Sequence, residues 1–289
     1  MAKETRGSPP DPMRLFDTHS HIHDKDFDAD RDGILRRAER DGVIGILTLG
    51  VTAENSGRAL ALSRRHAFVW AAAGVHPHNA ADATEADLDG LEEMARDPRV
   101  VAVGEIGLDF YRNLSPRERQ LAVFRRQLET SGRVSKPVAI HAREAHDEML
   151  PLLAAWSREM GGRLPDGRPL GIMHYFSADA AHAASYINLG FMISVHTSVT
   201  HPKASQLAEV VRETPLQYLV LETDSPHGAP QRFRGKRNEP AYLAEAAAKV
   251  AEVKGVPVET VADTTTDNAL RIFGISPFVP PTSANRGSA

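Results

Sequence analysis

Cysteine is absent from this chain of 289 residues, which excludes disulfides and thiolate metal ligands; any metal must be held by His, Asp and Glu. No apolar run approaches the about 18 residues that a membrane span needs. The start, MAKETRGSPPDPM, is polar and proline-rich and lacks the apolar core of a secretory signal. With neither a signal nor a span, the cytoplasm is the expected compartment and no membrane contact is expected. An excess of positive charge is also missing, since the formal net charge is −4. A nucleic-acid binder driven by overall charge is usually basic, so any nucleic acid must be met at a local site. What is present is ordinary for a globular protein: 42% hydrophobic and 25% charged residues, enough for one large core. Length alone would argue for two domains, but α/β barrels often use roughly 250 residues as one.

Short apolar runs alternate with amphipathic stretches. Strands are expected near 14–18, 43–49, 68–74, 100–104, 137–141, 170–174, 191–194 and 218–222. Helices are expected near 28–41, 53–66, 84–96, 115–133, 143–160, 178–189, 203–213, 240–254 and 258–273. Ser115-Pro116 with Glu118 reads as a cap, an N1 proline and a capping box. Leu121, Phe124 and Leu128 then recur at the helical period. Runs such as VVAVG and GVIGILTLG read as strands buried on both faces, as in a parallel sheet. The alternation predicts a (β/α)8 TIM barrel over 13–275, with a C-terminal helix and flanking disordered tails at 1–12 and 276–289. A doubly wound open sheet fits less well, because no glycine-rich phosphate loop follows the first strand. The Gly/Pro-rich stretch EMGGRLPDGRP at 159–169 reads as a loop.

Five strings carry the chemistry: DTHSH (17–21), GEIGLD (104–109), IHAR (140–143), MHYF (173–176) and ETDSPH (222–227). Each follows an apolar run, so in a barrel all five share one end, at the C-terminal ends of the strands. His19, His21, Glu105, His141, His174 and Asp224 then converge, and six such donors suffice for two metal ions. Asp17, His19 and His21 point the same way on an extended strand. Asp17 is either a ligand or a group that orients a histidine. His23 reads as a loop residue. Glu105 follows a buried strand, where a carboxylate needs a partner: either a structural arginine or bridged cations. His141 or His174 alone would read as a core histidine; both, at equivalent strand ends, are hard to explain as packing. Asp224 can hold a metal, act as a base, or both. Glu222, two positions earlier, is a weaker candidate.

With these strings go GVHPH (74–78), RGKRNEP (234–240) and TDNALRIFG (266–274), and the set in this order resembles the TatD family of metal-dependent hydrolases in the amidohydrolase-like superfamily. The resemblance covers roughly 14–275. It implies one metal on His19, His21, Glu105 and Asp224, and a second on Glu105, His141 and His174. It implies two-metal activation of water, with Glu105 bridging and Asp224 as the base. The ions would be Zn, Mn or Mg, with the histidine-rich set tilting toward Zn or Mn. His76 and Arg143 are candidates to hold the substrate phosphate. Their bland readings are a turn residue before Pro77 and a surface ion pair with Glu144 or Glu148. The chain departs from the family pattern at Phe110, commonly Tyr, at Tyr175, usually a small residue, and in a longer 159–169 loop. These departures touch substrate shape.

The loop QRFRGKRNEP at 231–240 adds four basic residues and Phe233 to the same end. Phe233 and Arg237 there are candidates to meet a nucleic-acid strand by stacking and charge; a solvated basic loop is the alternative. The expected activity is a DNase or phosphodiesterase with DNA as partner. A D-aminoacyl-tRNA deacylase, another ester or amide hydrolase, or a non-catalytic metal-binding scaffold are the alternatives on the same residues.

Overall fold

The computed structural model describes residues 13–276. Eight strands alternate with helices: β1 (Leu15–Ser20), α1 (Arg31–Arg40), β2 (Val43–Leu49), α2 (Ala53–Arg65), β3 (Val69–Ala73), α3 (Glu85–Met94), β4 (Val100–Asp109), α4 (Arg117–Val134) and β5 (Val138–Arg143). The chain continues through α5 (His146–Glu159), β6 (Gly171–His174), α6 (Ala180–Asn188), β7 (Phe191–His196), α7 (Ser205–Glu213), β8 (Leu219–Glu222), α8 (Leu243–Lys254) and α9 (Val258–Phe273). The strands lie in the order β1 to β8, each parallel to the next. This is the TIM-barrel plan that the alternation predicts. The expected tails at 1–12 and 276–289 fall outside the described residues, apart from Ser276. Among the described residues, no helix is long and apolar enough to cross a membrane.

The uniform apolar runs conceal a period of two. On β3, Val69, Ala71 and Ala73 pack outward against the helices, while Trp70 and Ala72 fill the barrel interior. Phe16 lies inside the barrel, 5.8 Å from Trp70 and 5.8 Å from Phe273 between ring centroids. Ile272 and Phe273 of α9 thereby plug the amino-terminal end. Each such buried side chain contributes about 1.5–3 kcal/mol.

Closure between β1 and β8 uses only a partial ladder. Ser20 bridges to Ser225, the Asp224 N–H donates to the His19 carbonyl at 2.8 Å, and the His21 N–H donates to Ser225 at 2.7 Å. Asp17 fills the gap by accepting from the Thr223 N–H at 2.9 Å and from the Thr223 hydroxyl. Burial pushes its carboxyl up to about 8. Its bonds from Thr223 commit this carboxyl to the seam.

Several boundaries differ from expectation. β4 runs to Asp109 rather than stopping near 104, because Ile106 to Asp109 keep pairing with β5. Glu105 therefore lies within a strand and not beyond it. Gly107 permits this approach: its φ is +141°, and a Cβ there would lie 2.0 Å from the His141 carbonyl oxygen. α5 begins at His146, not 143, since β5 extends to Arg143. Ser115 does not cap α4; its hydroxyl accepts from the Ala81 N–H and donates to the His78 carbonyl, each at 2.9 Å.

On the outer ring, Glu92 of α3 clamps α4. It accepts from Arg133 at 2.7 Å and Arg126 at 3.0 Å. Arg133 outweighs partial burial and holds the Glu92 carboxyl down at about 2, from an ordinary 4.5. A depressed carboxylate stabilises the fold above its unfolded pKa and loses that effect as pH falls toward 2. Glu92→Gln is therefore expected to cost about 1 kcal/mol at pH 7, with the difference from wild type closing between pH 4.5 and 2. Thermal unfolding across that range checks it; a difference that does not shrink in acid refutes the assignment.

Candidate metal centre

The carboxyl ends of β1, β4, β5, β6 and β8 deliver their side chains to one cleft of about 670 Å³, lined among others by His21, His76, Glu105, His141, His174 and Asp224. Glu105 occupies the centre. Its Oε2 lies 3.3 Å from His19 Nε2 and 3.6 Å from His21 Nε2. Its Oε1 lies 3.1 Å from His141 Nδ1, 3.3 Å from His76 Nε2 and 3.6 Å from His174 Nε2. Asp224 Oδ1 is 3.6 Å from His21 Nε2 and 3.9 Å from both His19 Nε2 and His174 Nε2. All six residues expected as metal donors come together here.

The donor set fits divalent ions. His19 Nε2 and His21 Nε2 face each other at 3.3 Å, with a carboxylate oxygen at similar range from both. Such separations match the edges, about 3.3–3.4 Å, of a tetrahedron of ligands around one ion with bonds near 2.0–2.1 Å. Three donor triplets can be drawn: His19, His21 and Glu105; His76, Glu105 and His141; His19, His174 and Glu222. Glu105 belongs to the first two, with a different oxygen turned to each. His76, expected to hold phosphate, thus sits inside a donor group.

Electrostatics keep the carboxylates charged. Burial acts to raise Glu105, but His76, His19 and His174 outweigh it and hold the carboxyl well below its usual range. Burial opposes the same effect at Asp224, where the nearby His21 imidazole and the charges of His174 and His19 win, leaving it at about 2. His21 and His141, though buried, are raised to about 9 by their carboxylate neighbours, Asp224 and Asp109 first among them. Burial, helped by the neighbouring imidazoles of His141 and His78, lowers His76 to about 4 against the opposing pull of Glu105.

A surrounding ring of groups grips these donors. Glu222 Oε2 lies 2.9 Å from His174 Nδ1, and its Oε1 accepts the Tyr175 N–H at 2.7 Å. The position lower in β8 that made Glu222 a weak ligand candidate is what lets it orient His174 from behind. Asp109 Oδ2 lies 3.2 Å from His141 Nε2 and 2.8 Å from His78 Nε2. His78 and Asp109 stand two and four positions after His76 and Glu105, in the strings GVHPH and GEIGLD, and that spacing is the one sequence signal that could point to them. His23 is in a turn but is buried, with Nδ1 2.7 Å from Thr48 Oγ1 and Nε2 2.8 Å from Asn55 Oδ1. Tyr175 and Asp224 hold left-handed backbone, at φ +43° and +58°. Non-glycine residues pay about 1–3 kcal/mol for that, and such strain clusters where side chains must be aimed.

The remaining candidates divide. Arg143 lines the cleft and makes no ion pair among the described residues; its guanidinium lies 3.9 Å over the Tyr111 ring. Glu148, a proposed partner, sits instead by Arg117 at 3.8 Å. Phe233 and Arg237 do not line the cleft. Phe233 stacks on Tyr242 at 3.8 Å and 3°. Arg237 reaches back to Asp30 at 2.6 Å and covers Phe27.

An eight-stranded parallel barrel with this ring of His, Asp and Glu defines a metal-dependent hydrolase. The chain belongs to the family described as TatD related DNase, whose model matches residues 16–274. It is 37% identical over 262 residues to an uncharacterized metal-dependent hydrolase, YabD, of Bacillus subtilis, covering 91% of this chain and all of that one. It is 35% identical over 267 residues to the 3′-5′ ssDNA/RNA exonuclease TatD of Erwinia amylovora, covering 90% of this chain and all of that protein. The crystal structure of YJJV, a TatD homologue from Escherichia coli, superposes with a TM-score of 0.84 at 32% identity, over 91% of this chain and 99% of that one.

Proposed function

We propose that this hydrolase is a nuclease that cleaves phosphodiester bonds of single-stranded nucleic acid at a site holding two divalent ions, Mn or Zn ahead of Mg. The observation that carries this reading is Glu105, which turns Oε2 to His19 and His21 and Oε1 to His76, His141 and His174. One carboxylate facing two sets of imidazoles is the arrangement a bridging ligand needs. His19, His21, Glu105 and Asp224 would hold one ion, and Glu105, His141 and His174 the other, with His76 beside the second. When bound, such ions lower the pKa of water and offset charge developing on a phosphate.

The chain's own residues supply the rest. Asp224, ionised at neutral pH and only partly exposed, accepts the proton of the attacking water. Arg143, at the cleft wall, binds non-bridging phosphate oxygens with its planar fork. Glu222 and Asp109 fix the ring planes of His174 and His141. The relatives named as 3′-5′ ssDNA/RNA exonucleases favour single strands and cleavage from a 3′ end. A cytoplasmic site of action belongs to the same proposal.

The test is a panel of single- and double-stranded DNA, RNA, D-aminoacyl-tRNA and simple phosphoesters, each with Mg, Mn and Zn. Release of mononucleotides from single strands, abolished in Glu105→Ala, is the expected result. Turnover confined to the acyl ester of aminoacyl-tRNA would replace the nuclease reading with a deacylase. No turnover on any substrate by metal-replete protein would favour a scaffold.

A further inference from the structure

Two large apolar side chains are exposed among the described residues, Tyr111 at 57% and Leu114 at 62%, and both lie on one loop. That loop, between β4 and α4, starts one residue after Asp109, which grips His141. Its Arg112 lines the cleft together with Arg143. Neither arginine makes an ion pair among the described residues. The Arg143 guanidinium lies 3.9 Å over one face of the Tyr111 ring. A tyrosine backed by a cation on one face and exposed to more than half of its full extent presents its other face to solvent.

We infer that Tyr111, held by Arg143, is a stacking platform for a nucleobase of the strand whose phosphate lies at the metal centre. The inference deepens the nuclease reading and rests on it. Charge and shape both point to this occupant. Two unpaired arginines at the cleft call for an anionic chain, and a flat aromatic face takes any base without regard to sequence. Phe233 lies away from this cleft and gives one face to Tyr242, whereas Tyr111 is held by an arginine that lines the cleft. Leu114 extends the apolar surface of the loop. Arg143 then has two tasks, a phosphate contact and support of the ring.

The test compares wild type, Tyr111→Ala and Tyr111→Phe on a single-stranded DNA oligonucleotide and on the same oligonucleotide with abasic residues at its 3′ end. Binding to metal-free protein is read by fluorescence anisotropy, and cleavage by KM and kcat. Loss of one stacked base is expected to weaken binding and raise KM about tenfold in Tyr111→Ala, in the range known for stacking on aromatic side chains. Tyr111→Phe should keep wild-type values. On the abasic strand, wild type should already be weak and Tyr111→Ala should add nothing. Equal losses on both strands, or unchanged binding to the intact strand, would overturn the platform while leaving the nuclease reading standing. A wild type that cleaves neither strand would overturn that reading, and the platform with it.

Discussion

Glu105→Ala is expected to reduce kcat/KM on a single-stranded oligonucleotide by about 1,000-fold or more, equivalent to ~4 kcal/mol of transition-state stabilisation. The size follows from position. Glu105 is almost wholly buried and lies within 3.1–3.6 Å of five imidazoles. Its removal takes the carboxylate from between both sets of histidines at once, the proposed shared ligand, and leaves them around an uncompensated void. Glu105→Gln keeps the volume but not the charge, so it separates packing from electrostatics; it should lose nearly as much activity while unfolding closer to the wild-type temperature. Kinetics, elemental analysis and thermal unfolding on the same preparations check this. A Glu105→Ala protein that retains both metal and turnover would remove the bridging role.

The second large effect concerns metal content. Combining His141→Ala with His174→Ala should lower bound metal from about two ions per chain to about one or fewer. These histidines enter from adjacent strands, paired in register as His141 and His174, and both face the same oxygen of Glu105. His76 is then the one imidazole left facing that oxygen, at 3.3 Å, and a single nitrogen does not replace two. Glu222→Gln offers a graded comparison. It leaves every proposed ligand in place but weakens the grip on His174 Nδ1, and should cost roughly 10–100-fold in metal affinity or activity. Elemental analysis after metal loading and dialysis reads both. A double variant with full metal content would sink the ligand assignment.

Individual residues show how far sequence reading reached. His19, His21, Glu105, His141, His174 and Asp224 were legible because each follows an apolar run, and a parallel barrel puts every such end on one rim. The grip around them was less legible. Asp17 shares the strand face of His19 by alternation, yet its carboxylate turns to Thr223 to complete a seam where backbone pairing runs out. By composition, Phe233 and the basic loop read either as a substrate contact or as a solvated basic loop. In space, Tyr242 takes the ring and Asp30 takes Arg237. Tyr111 is not legible in the sequence, because nothing local distinguishes an exposed aromatic just past a strand end from a packed one such as Phe110.

The amino-acid sequence by itself determined the alternation of strands and helices, the end of the barrel that bears chemistry, and the kinds of donor found there. Those follow from local rules: hydrophobic period, strand geometry and the parallel connection. Tertiary structure alone decided that β4 carries Glu105 within its span, at a break in its register with β5, that Glu105 splits its two oxygens between two sets of histidines, and that Glu222 and Asp109 hold the rings in place. Only it decided that Tyr111 stands exposed against Arg143 of the cleft wall, while Phe233 stacks on Tyr242 away from the cleft. The reason is physical: these outcomes depend on distances between residues 30 to more than 100 positions apart in the chain, such as His19 and Glu105 at 3.3 Å, which no local pattern encodes.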